Sequence, residues 1–364
     1  MARITIIGGG VIGLSIAFEC RKRGHEITVV EAQRCGGQAS GAAAGMLAPY
    51  SEIEEDPDDF FRLCQRSLQL FPEWQEEVKQ HSEIDFEYNE SGSLYCIYHE
   101  ADRLSLETKQ AWQQKFHVKS KLLTAEEVRE KEPELSENVV AALWCPEEAH
   151  IYAPGYVAAL LQACRSLGVR VVENAGEAKL ENGDVVTKNE RIESDEVVLA
   201  AGAWSMYWEN ELGCTLPIFP IRGQICAYEA PTLNHIIFTS QGYLVAKANG
   251  SVVAGASEDI ADFDTNVTMH GIGRLEKWSK KVMPVLEKME PFHKWAGLRP
   301  ATQDGFPLIG RVVEKTGIIL ATGHYRNGIL LSPITAKIVA DEIDQIPQRI
   351  EIGQFNPNRF QSIQ

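Results

Sequence analysis

A glycine-rich segment near the start of the chain constrains the fold more than any other feature of this sequence. The short apolar run Arg3–Ile7 leads into Gly8, Gly10 and Gly13, which have the G-x-G-x-x-G spacing of a dinucleotide-binding turn between a strand and a helix. Gly8 permits the tight turn, Gly10 lets a pyrophosphate approach the backbone, and Gly13 lets the helix pack closely on the strand. The free N–H groups and the dipole at the start of that helix favour a bound phosphate. The segment therefore predicts a Rossmann-like unit that holds a dinucleotide.

An acidic residue follows the second predicted strand, at the position that such units use for a ribose. Glu31 comes directly after the strand Glu26–Val30 and eighteen residues after Gly13. A carboxylate at this position accepts hydrogen bonds from the ribose hydroxyl groups and disfavours a 2′-phosphate. NADP is therefore the least favoured ligand, whereas the glycine turn leaves FAD and NAD both open.

Composition limits the classes of partner that the chain can bind. With 364 residues, the chain is long enough for two domains. Its formal net charge of −16 disfavours nucleic acid and anionic membranes, so an anionic substrate has to be received by locally placed arginines. Met1 and Ala2 lead directly into the first strand, and no apolar run approaches the length of a membrane span, so we expect a cytoplasmic protein. The eight cysteines include no C-x-x-C pair, which argues against a metal site and a disulfide framework.

The next segments differ in polarity. Residues 35–49 are almost uncharged and rich in Gly and Ala, which indicates packing against a bulky flat ligand more than a solvated linker. Acidic residues come next, and we interpret them as the solvated N-terminal end of a helix, where they complement the helix dipole. They are Glu52, Glu54, Glu55, Asp56, Asp58 and Asp59. Alternation over residues 85–98, with turn residues at 90–93, predicts a β-hairpin that opens a second sheet.

Later segments return to the first sheet and define the domain organisation. The apolar runs 196–205 and 317–323 are typical of strands buried on both faces that end at a glycine beside a ligand. Between them lie longer alternating strands over 218–256 and a helix over 269–288, and a final helix begins near Ser332. We predict an α/β protein in which a Rossmann-like dinucleotide-binding domain carries an inserted α+β substrate domain built on an antiparallel sheet. The expected boundaries are 1–83, 145–217 and 296–364 for the first domain, and 84–144 and 218–295 for the second.

The chain as a whole resembles a known flavoenzyme family. The segments that carry the resemblance are in register over essentially the full length, at residues 4–13, 31, 44–47, 197–205, 297–310 and 323–330. They resemble the FAD-dependent D-amino acid oxidase family, and within it most closely the bacterial glycine oxidases of thiamine-thiazole synthesis. The resemblance implies FAD as the cofactor of the first domain. No cysteine follows Arg299 and Pro300, unlike in the sarcosine oxidases with covalent flavin, so we expect non-covalent FAD.

The resemblance implies roles for three residues at the substrate. Arg299 corresponds to the arginine that clamps the substrate carboxylate, and its planar guanidinium suits bidentate binding of that group. Tyr243 corresponds to the active-site tyrosine whose hydroxyl group binds the same carboxylate. Arg326 corresponds to a second arginine, which faces the amine or the rim of the flavin. Each residue also has a plain alternative. Arg299 could form an ion pair with a core acid, Tyr243 could be a half-buried core residue, and Arg326 could be a turn residue that only fixes its loop.

The resemblance also implies a set of FAD contacts. Those before residue 50 correspond to contacts with adenosine, pyrophosphate and flavin, and those from 324 to 330 to the stretch that wraps the isoalloxazine. The full set is Gly8, Gly10, Val11, Ile12, Gly13, Glu31, Ala32, Ala39, Ser40, Ala44, Gly45, Met46, Gly202, His324, Tyr325, Arg326, Asn327, Gly328, Ile329 and Leu330.

The implied activity is the oxidative deamination of small amines that bear a carboxylate. Glycine is expected first, followed by sarcosine and small D-amino acids, with dioxygen as electron acceptor and an imine or oxo acid, ammonia and hydrogen peroxide as products. The implied partners are thiazole synthase, which uses the imine, and further copies of the chain in a tetramer. Two alternatives stay open, namely a dehydrogenase with another electron acceptor and a flavin-binding protein without catalysis.

Overall fold

The computed structural model describes residues 1–53, 57–348 and 350–361. Its strands, in chain order, are β1 (Arg3–Ile7), β2 (Glu26–Val30), β3 (Met46–Leu47), β4 (Tyr88–Asn89), β5 (Ser93–Ile97), β6 (Lys121–Thr124), β7 (Ala141–Cys145), β8 (Ala149–Ile151), β9 (Arg170–Val172), β10 (Lys179–Glu181), β11 (Asp184–Val186), β12 (Arg191–Ile192), β13 (Glu196–Leu199), β14 (Ile218–Glu229), β15 (Ile236–Thr239), β16 (Gly242–Ala246), β17 (Ser251–Gly255), β18 (Asp259–Ile260), β19 (His293–Thr302), β20 (Leu308–Arg311) and β21 (Ile318–Thr322).

The α-helices are α1 (Val11–Lys22), α2 (Ala39–Ala42), α3 (Pro49–Glu52), α4 (Asp59–Ser82), α5 (Arg103–Lys115), α6 (Ala125–Lys131), α7 (Ala153–Ser166), α8 (Glu209–Leu212), α9 (Met269–Val282) and α10 (Gly328–Ile343). Short 3₁₀ turns cover Glu100–Asp102, Gly202–Trp208, Pro284–Lys288, Gly353–Phe355 and Pro357–Phe360.

The first sheet is the dinucleotide-binding sheet that the glycine spacing predicts. Among the described residues it has six strands in the order β20-β21-β13-β1-β2-β9, and all pairs are parallel except β20 with β21. Helices α1, α4, α7 and α10 share a hydrophobic core with one face of this sheet. The small antiparallel sheet β10-β11-β12 contributes to the core on the other face. The returns of the chain at β13 and β21 confirm the predicted α/β fold.

The second sheet is mainly antiparallel. In the described part of the chain its strands follow the order β18-β14-β17-β16-β15-β5-β7-β6, with β19 paired to β14, and β15 with β5 is its parallel pair. One face packs on α6 and α9. The opposite face carries Ile225, Tyr243 and Val245, which pack with Ala44 and Ala48 on either side of β3. The domain boundaries expected from the sequence stay a prediction.

Three predictions of secondary structure are wrong. Residues 85–98 do not form a hairpin, because β4 pairs with β8 whereas β5 pairs with β7 and β15. The Gly92 N–H donates to the Glu148 carbonyl and the Gly92 carbonyl accepts from Ile236, so the turn connects two sheets. The helix from Met269 ends at Val282, since Pro284 begins a 3₁₀ turn. Helix α10 begins at Gly328 and not near Ser332, with Asn327 as its N-cap residue.

Candidate active site

A large cavity runs from the start of α1 to the antiparallel sheet. Its volume is about 880 Å³. Most residues that the sequence predicts at the cofactor and the substrate line it: Gly8, Gly10, Val11, Ile12, Glu31, Ala32, Ala39, Ser40, Ala44, Gly45, Met46, Gly202, Tyr243, Arg299, His324, Tyr325, Arg326, Gly328 and Ile329. Three predicted residues lie outside this lining. Gly13 packs against Gly8, Asn327 is the N-cap residue of α10, and Leu330 is buried. We call this space the main cavity.

The α1 end of the main cavity has the geometry of an anion site. Gly8 has φ +114°, and a Cβ there would lie 2.3 Å from the Ala200 carbonyl oxygen. A Cβ at Gly13 would lie 1.9 Å from the Gly8 carbonyl oxygen, so α1 packs on β1 as closely as the glycine spacing predicts. The first turn of α1 carries no acidic residue, and its N-cap residue, Gly10, has no side chain that could cap it. Its dipole is therefore available to a phosphate.

Glu31 and Ser40 organise the turn around this helix end. The Glu31 carboxylate accepts hydrogen bonds from the Gly9 N–H (2.8 Å) and the Gln33 N–H (2.9 Å). Ser40 Oγ accepts from the Val11 N–H at 3.0 Å. Both side chains also line the main cavity, so they are positioned to contact a dinucleotide.

The segment from Gly36 to Leu47 forms a wall of small residues. A Cβ at Gly45, whose φ is +80°, would lie 2.0 Å from the Ile151 carbonyl oxygen. A Cβ at Gly297 would lie 2.6 Å from the Ala42 Cβ. Because the backbone comes this close to its neighbours, larger side chains are excluded here, and a flat ring can lie against Ala42 to Met46. The residues present fit a flavin.

The turn before α10 supplies another wall of the main cavity. His324 is buried, and its Nε2 forms a 3.0 Å hydrogen bond with Thr335 Oγ1. Burial lowers the pKa of His324 to about 3, so its ring is neutral at physiological pH. Tyr325 donates from its hydroxyl group to the Glu258 carboxylate at 2.9 Å. The N-terminal end of α10 then begins at Gly328, beside the cavity.

Arg299 and Tyr243 present unused hydrogen-bond donors at the antiparallel-sheet end. Arg299 donates from Nη1 to the Ser257 carbonyl at 2.9 Å and has no carboxylate within 4.0 Å among the described residues, so the alternative of an ion pair with a core acid is not found there. The Tyr243 hydroxyl group has no hydrogen bond within the described ranges. Burial raises the pKa of Tyr243 to about 12, although the Arg299 charge opposes this shift.

Two glycines allow these side chains to lie flat on the sheet. A Cβ at Gly223 would lie 2.4 Å from Arg299 Cζ, and a Cβ at Gly255 would lie 2.3 Å from the Tyr243 hydroxyl oxygen. In the register of β14 and β19, Gly223 faces Gly297, two residues before Arg299. The glycines therefore hold space for the guanidinium and the phenol.

Glu52 is a buried carboxylate in the main cavity, and its interpretation as part of a solvated helix start is wrong. Its side chain is 9% exposed and lies 3.9 Å from Arg326 Nε. Burial raises the pKa of Glu52, and the charges of Arg326 and Arg299 oppose the rise. Arg326 also pairs with the half-exposed Glu258 at 3.4 Å.

Other acidic residues of that run do lie at the start of a helix. Asp58 caps α4 by accepting from the Phe61 N–H at 2.9 Å, and Asp59 pairs with Arg62 at 2.7 Å, as a helix start predicts. Glu54, Glu55 and Asp56 lie outside the described residues.

A second buried acid fixes the backbone that carries Glu52. Glu148 accepts hydrogen bonds from the Tyr50 N–H (2.6 Å), the Ser51 N–H (2.9 Å) and Ser51 Oγ (2.7 Å), and also from Ser93 Oγ. Burial raises the pKa of Glu148 to about 7, while these donors oppose the rise. Helix α3 is too short to be stable alone. Glu148 therefore positions the short segment from which Glu52 reaches the cavity.

Three features are absent from the described residues: a metal-ion cluster, a cysteine in the main cavity lining and a membrane-spanning helix. No group of three or more His, Cys, Asp or Glu side chains in the ranges given above could hold a metal ion. None of the eight cysteines lines the main cavity as described. Among the helices of these ranges, none combines the length and apolar character needed to cross a bilayer.

Comparison with known proteins identifies the family. The glycine oxidase of Geobacillus kaustophilus is 32% identical over 364 residues, covering 98% of this chain and 96% of that protein. Its crystal structure superposes with a TM-score of 0.94 over 99% of both chains. The bifunctional protein ThiO/ThiG of Synechocystis is 34% identical over 98% of this chain but only 54% of its own length. The family model for DAO, FAD dependent oxidoreductase, matches residues 3–342. The chain therefore belongs to the DAO family of FAD-dependent oxidoreductases, and FAD is its cofactor.

Proposed function

We propose that this protein is an oxidase that deaminates glycine and other small amines with a carboxylate, such as sarcosine and small D-amino acids. The observation that carries the proposal is the pair Arg299 and Tyr243, which line the same cavity as the dinucleotide end; within the described structure one Arg299 nitrogen is bonded to Ser257, and the other guanidinium donors and the Tyr243 hydroxyl group are unused. The named relatives include several glycine oxidases, which supports glycine as the first substrate. The overall reaction converts glycine, dioxygen and water into glyoxylate, ammonia and hydrogen peroxide.

Arg299 and Tyr243 bind and orient the substrate. The guanidinium receives the carboxylate through charge-assisted hydrogen bonds, and the phenol donates a further one. With the carboxylate fixed, the substrate Cα–H has one preferred direction, and such positioning contributes up to roughly 7–11 kcal/mol in well-oriented systems. Bound FAD supplies the two-electron acceptor, and dioxygen takes the electrons on. Because the cofactor would supply the redox chemistry, the chain itself needs to supply only binding, orientation and a route for protons.

Glu52 and Arg326 govern charge beside the amine. The substrate arrives largely as an ammonium ion, and the amine has to lose a proton before its lone pair can form the imine. Glu52 is the buried carboxylate of the described cavity lining that lies nearest to Arg326. We assign Glu52 as the carboxylate that binds the ammonium group and accepts its proton, while the nearby Arg326 guanidinium offsets the negative charge of Glu52.

Most of the proposed cofactor contacts line the main cavity, and Gly13, Asn327 and Leu330 lie behind that lining. Gly8 to Gly13 and Ser40 hold the pyrophosphate, Glu31 and Ala32 the ribose, Ala44 to Met46 and Gly202 the ring system, and residues 324–330 its rim. FAD is held without a covalent bond, which is supported by the absence of a cysteine from the described cavity lining.

Thiazole synthase is the proposed recipient of the imine. The relative from Synechocystis is named the bifunctional protein ThiO/ThiG, and this chain spans about half of it. We further propose that the protein is cytoplasmic. We also propose that it forms a homotetramer, and light scattering of the holoenzyme tests this oligomeric state.

Peroxide release tests the proposed reaction. Purified protein with bound FAD is mixed with glycine, sarcosine or D-alanine, and hydrogen peroxide and flavin absorbance are recorded with dioxygen and then with an artificial acceptor. We expect flavin bleaching by all three substrates, with the highest kcat/KM for glycine, and peroxide in air. Bleaching without peroxide would identify a dehydrogenase. Absence of bleaching would identify a flavin-binding protein without this activity.

A further inference from the structure

A second cavity lies behind the wall of small residues that bounds the main cavity. Its volume is about 610 Å³. Gln38, Ala42, Ala43 and Ala44 line both cavities, so a single layer of chain separates them. The other walls come from β14, β17, β19 and the start of α7. This volume lies in the range of sites that hold small organic molecules.

Lys247 brings a buried charge to this second cavity. The residue is 6% exposed and follows β16 directly. Its Nζ donates to the Ile151 carbonyl at 3.1 Å, and no carboxylate lies within 4.0 Å of it among the described residues. The neighbouring Glu87 carboxylate is bonded to His150 at 3.0 Å instead. Burial lowers the pKa of Lys247 to about 8, with Glu87 opposing the shift.

The hydrogen-bonding capacity of Lys247 is not used up. An ammonium group has three donors, and within the described structure one of them is satisfied. A buried charge is normally paired, because desolvation without a partner is costly. Lys247 is the one Lys, Arg, Asp or Glu in the described lining of this cavity. An anion that enters the cavity therefore meets one cation and no competing carboxylate there.

Flat aromatic surfaces line the same cavity as this cation. The rings of His293 and Trp295 are stacked, with centroids 4.9 Å apart and an interplanar angle of 19°. Trp295 is held in place by its Nε1–H, which donates to the Ala42 carbonyl at 2.9 Å. Phe292 and Tyr152 line the cavity too and are 57% and 39% exposed. Aromatic surfaces of this kind favour a planar, largely apolar partner.

From this juxtaposition we propose that the second cavity binds a flat aromatic or heteroaromatic monocarboxylate, with the carboxylate on Lys247 and the ring against His293 and Trp295. The site is separate from the substrate position at Arg299 and independent of the proposed oxidase activity. Because the wall of Ala42 to Ala44 is shared, occupancy also perturbs the visible absorbance of FAD in the main cavity.

Calorimetric titration of the FAD-loaded Arg299→Ala variant with 2-naphthoate tests this site. The Arg299→Ala background removes the carboxylate receptor of the main cavity, so the titration reports the second cavity. We expect one saturable site per chain and a shift in the flavin spectrum with the same midpoint. Adding Lys247→Gln weakens binding at least about tenfold, because a charge-assisted hydrogen bond is lost. Lys247→Arg keeps the charge and stays within about threefold.

Two controls separate charge recognition from indirect effects. Lys294→Gln removes a charge next to Trp295, from a lysine that is paired with Glu276 at 2.9 Å and lines neither cavity, and we expect binding within twofold. The neutral 2-naphthamide binds at least about tenfold more weakly than 2-naphthoate to the chain with Lys247 intact. This comparison of probes decides the question even if Lys247→Gln does not keep FAD.

Four results would overturn the proposal. They are no saturable binding of 2-naphthoate, equal affinity for the acid and the amide, a crystal structure with the probe in the main cavity, and binding that weakens as protein concentration rises because a second copy fills the cavity.

Discussion

At the α1 end of the main cavity the walls are backbone and small residues, whereas at the antiparallel-sheet end they are charged and aromatic side chains. The first end is organised around residues 7–13, where Gly8 and Gly13 pack against backbone atoms. The second end combines Glu52, Tyr243, Arg299 and Arg326, which are far apart in sequence. A substitution at the α1 end should therefore cause a steric clash that abolishes FAD binding altogether. A substitution at the antiparallel-sheet end should remove one interaction with the substrate and leave the others.

The largest effect is expected for Gly13→Ala. The added Cβ would lie 1.9 Å from the Gly8 carbonyl oxygen, so α1 has to move away from β1 and the phosphate site is lost. We expect a loss of about 3 kcal/mol or more in the free energy of unfolding and at least ~100-fold weaker FAD binding. Thermal unfolding and flavin absorbance after gel filtration measure both.

Gly273→Ala is the matched control for this change. A Cβ at Gly273, inside α9, would meet no atom within 4 Å, and alanine is the better helix former. This variant should keep FAD with unchanged or slightly higher stability. Normal FAD content in Gly13→Ala would contradict the steric account of the α1 end.

Arg299→Ala should lower kcat/KM for glycine by about 100-fold while FAD stays bound. The physical reason is the loss of a bidentate, charge-assisted pair with the carboxylate. Steady-state kinetics with peroxide detection measure the change. Arg311→Ala, which removes an arginine paired with Glu196 at 2.9 Å outside the main cavity, should leave kcat/KM within twofold. Loss of FAD in Arg299→Ala with intact kinetics in the remaining holoenzyme would assign Arg299 a structural role.

Tyr243→Phe should lower kcat/KM by about tenfold, the value of one hydrogen bond to a charged group. Its hydroxyl group faces the cavity, so the stability of the fold should change little. Tyr228→Phe is the control on the other face of the same sheet, where the hydroxyl group is bonded to Ser279 at 3.1 Å. That variant should alter the unfolding midpoint and leave kcat/KM unchanged. If Tyr228→Phe lowered kcat/KM and Tyr243→Phe did not, the functional face of the sheet would be the one that carries Tyr228.

The smallest effect is a gain in stability for Glu52→Gln that depends on pH. Burial raises the pKa of Glu52 above its ordinary value of 4.5, so wild-type stability falls as pH rises from that value towards the pKa in the folded state. Replacing the carboxyl group by a neutral amide removes this loss. We expect a gain of about 1 kcal/mol at pH 8 and none at pH 4, measured by urea unfolding.

Glu258→Gln provides the comparison for Glu52→Gln. Glu258 pairs with the same arginine at 3.4 Å but is half exposed, so its replacement should shift stability little at either pH. A similar response of the two variants would show that burial of Glu52 does not control its charge.

Much of the α1 end could be predicted because its determinants are local. The glycine spacing and the acid after β2 specify a strand, a turn and a helix within one short stretch, and the family resemblance then selects FAD. The predicted α/β fold, the FAD cofactor and the family membership are confirmed. The assignment of single residues to cofactor and substrate stays a prediction.

The rest depends on contacts that sequence periodicity does not contain. The sequence does not distinguish Glu52 from the other acidic residues of its run. Its burial depends on Glu148, which fixes the preceding backbone and lies nearly a hundred residues later. A signal was nevertheless present, since Glu52 comes only six residues after Met46 of the predicted flavin segment. The wrong hairpin over 85–98 has a similar cause, because β5 finds its partners in β7 and β15.

The glycines under the substrate end limit how substrate range can change. Gly223 and Gly255 lie beneath Arg299 and Tyr243, so a larger residue at either position displaces the guanidinium or the phenol and does not simply narrow the cavity. Substitutions there remove carboxylate binding before they alter the size of the accepted amine. Divergence towards bulkier or secondary amines is therefore confined to other lining residues, such as Met46 and Ile225, while the recognition of a carboxylate is retained.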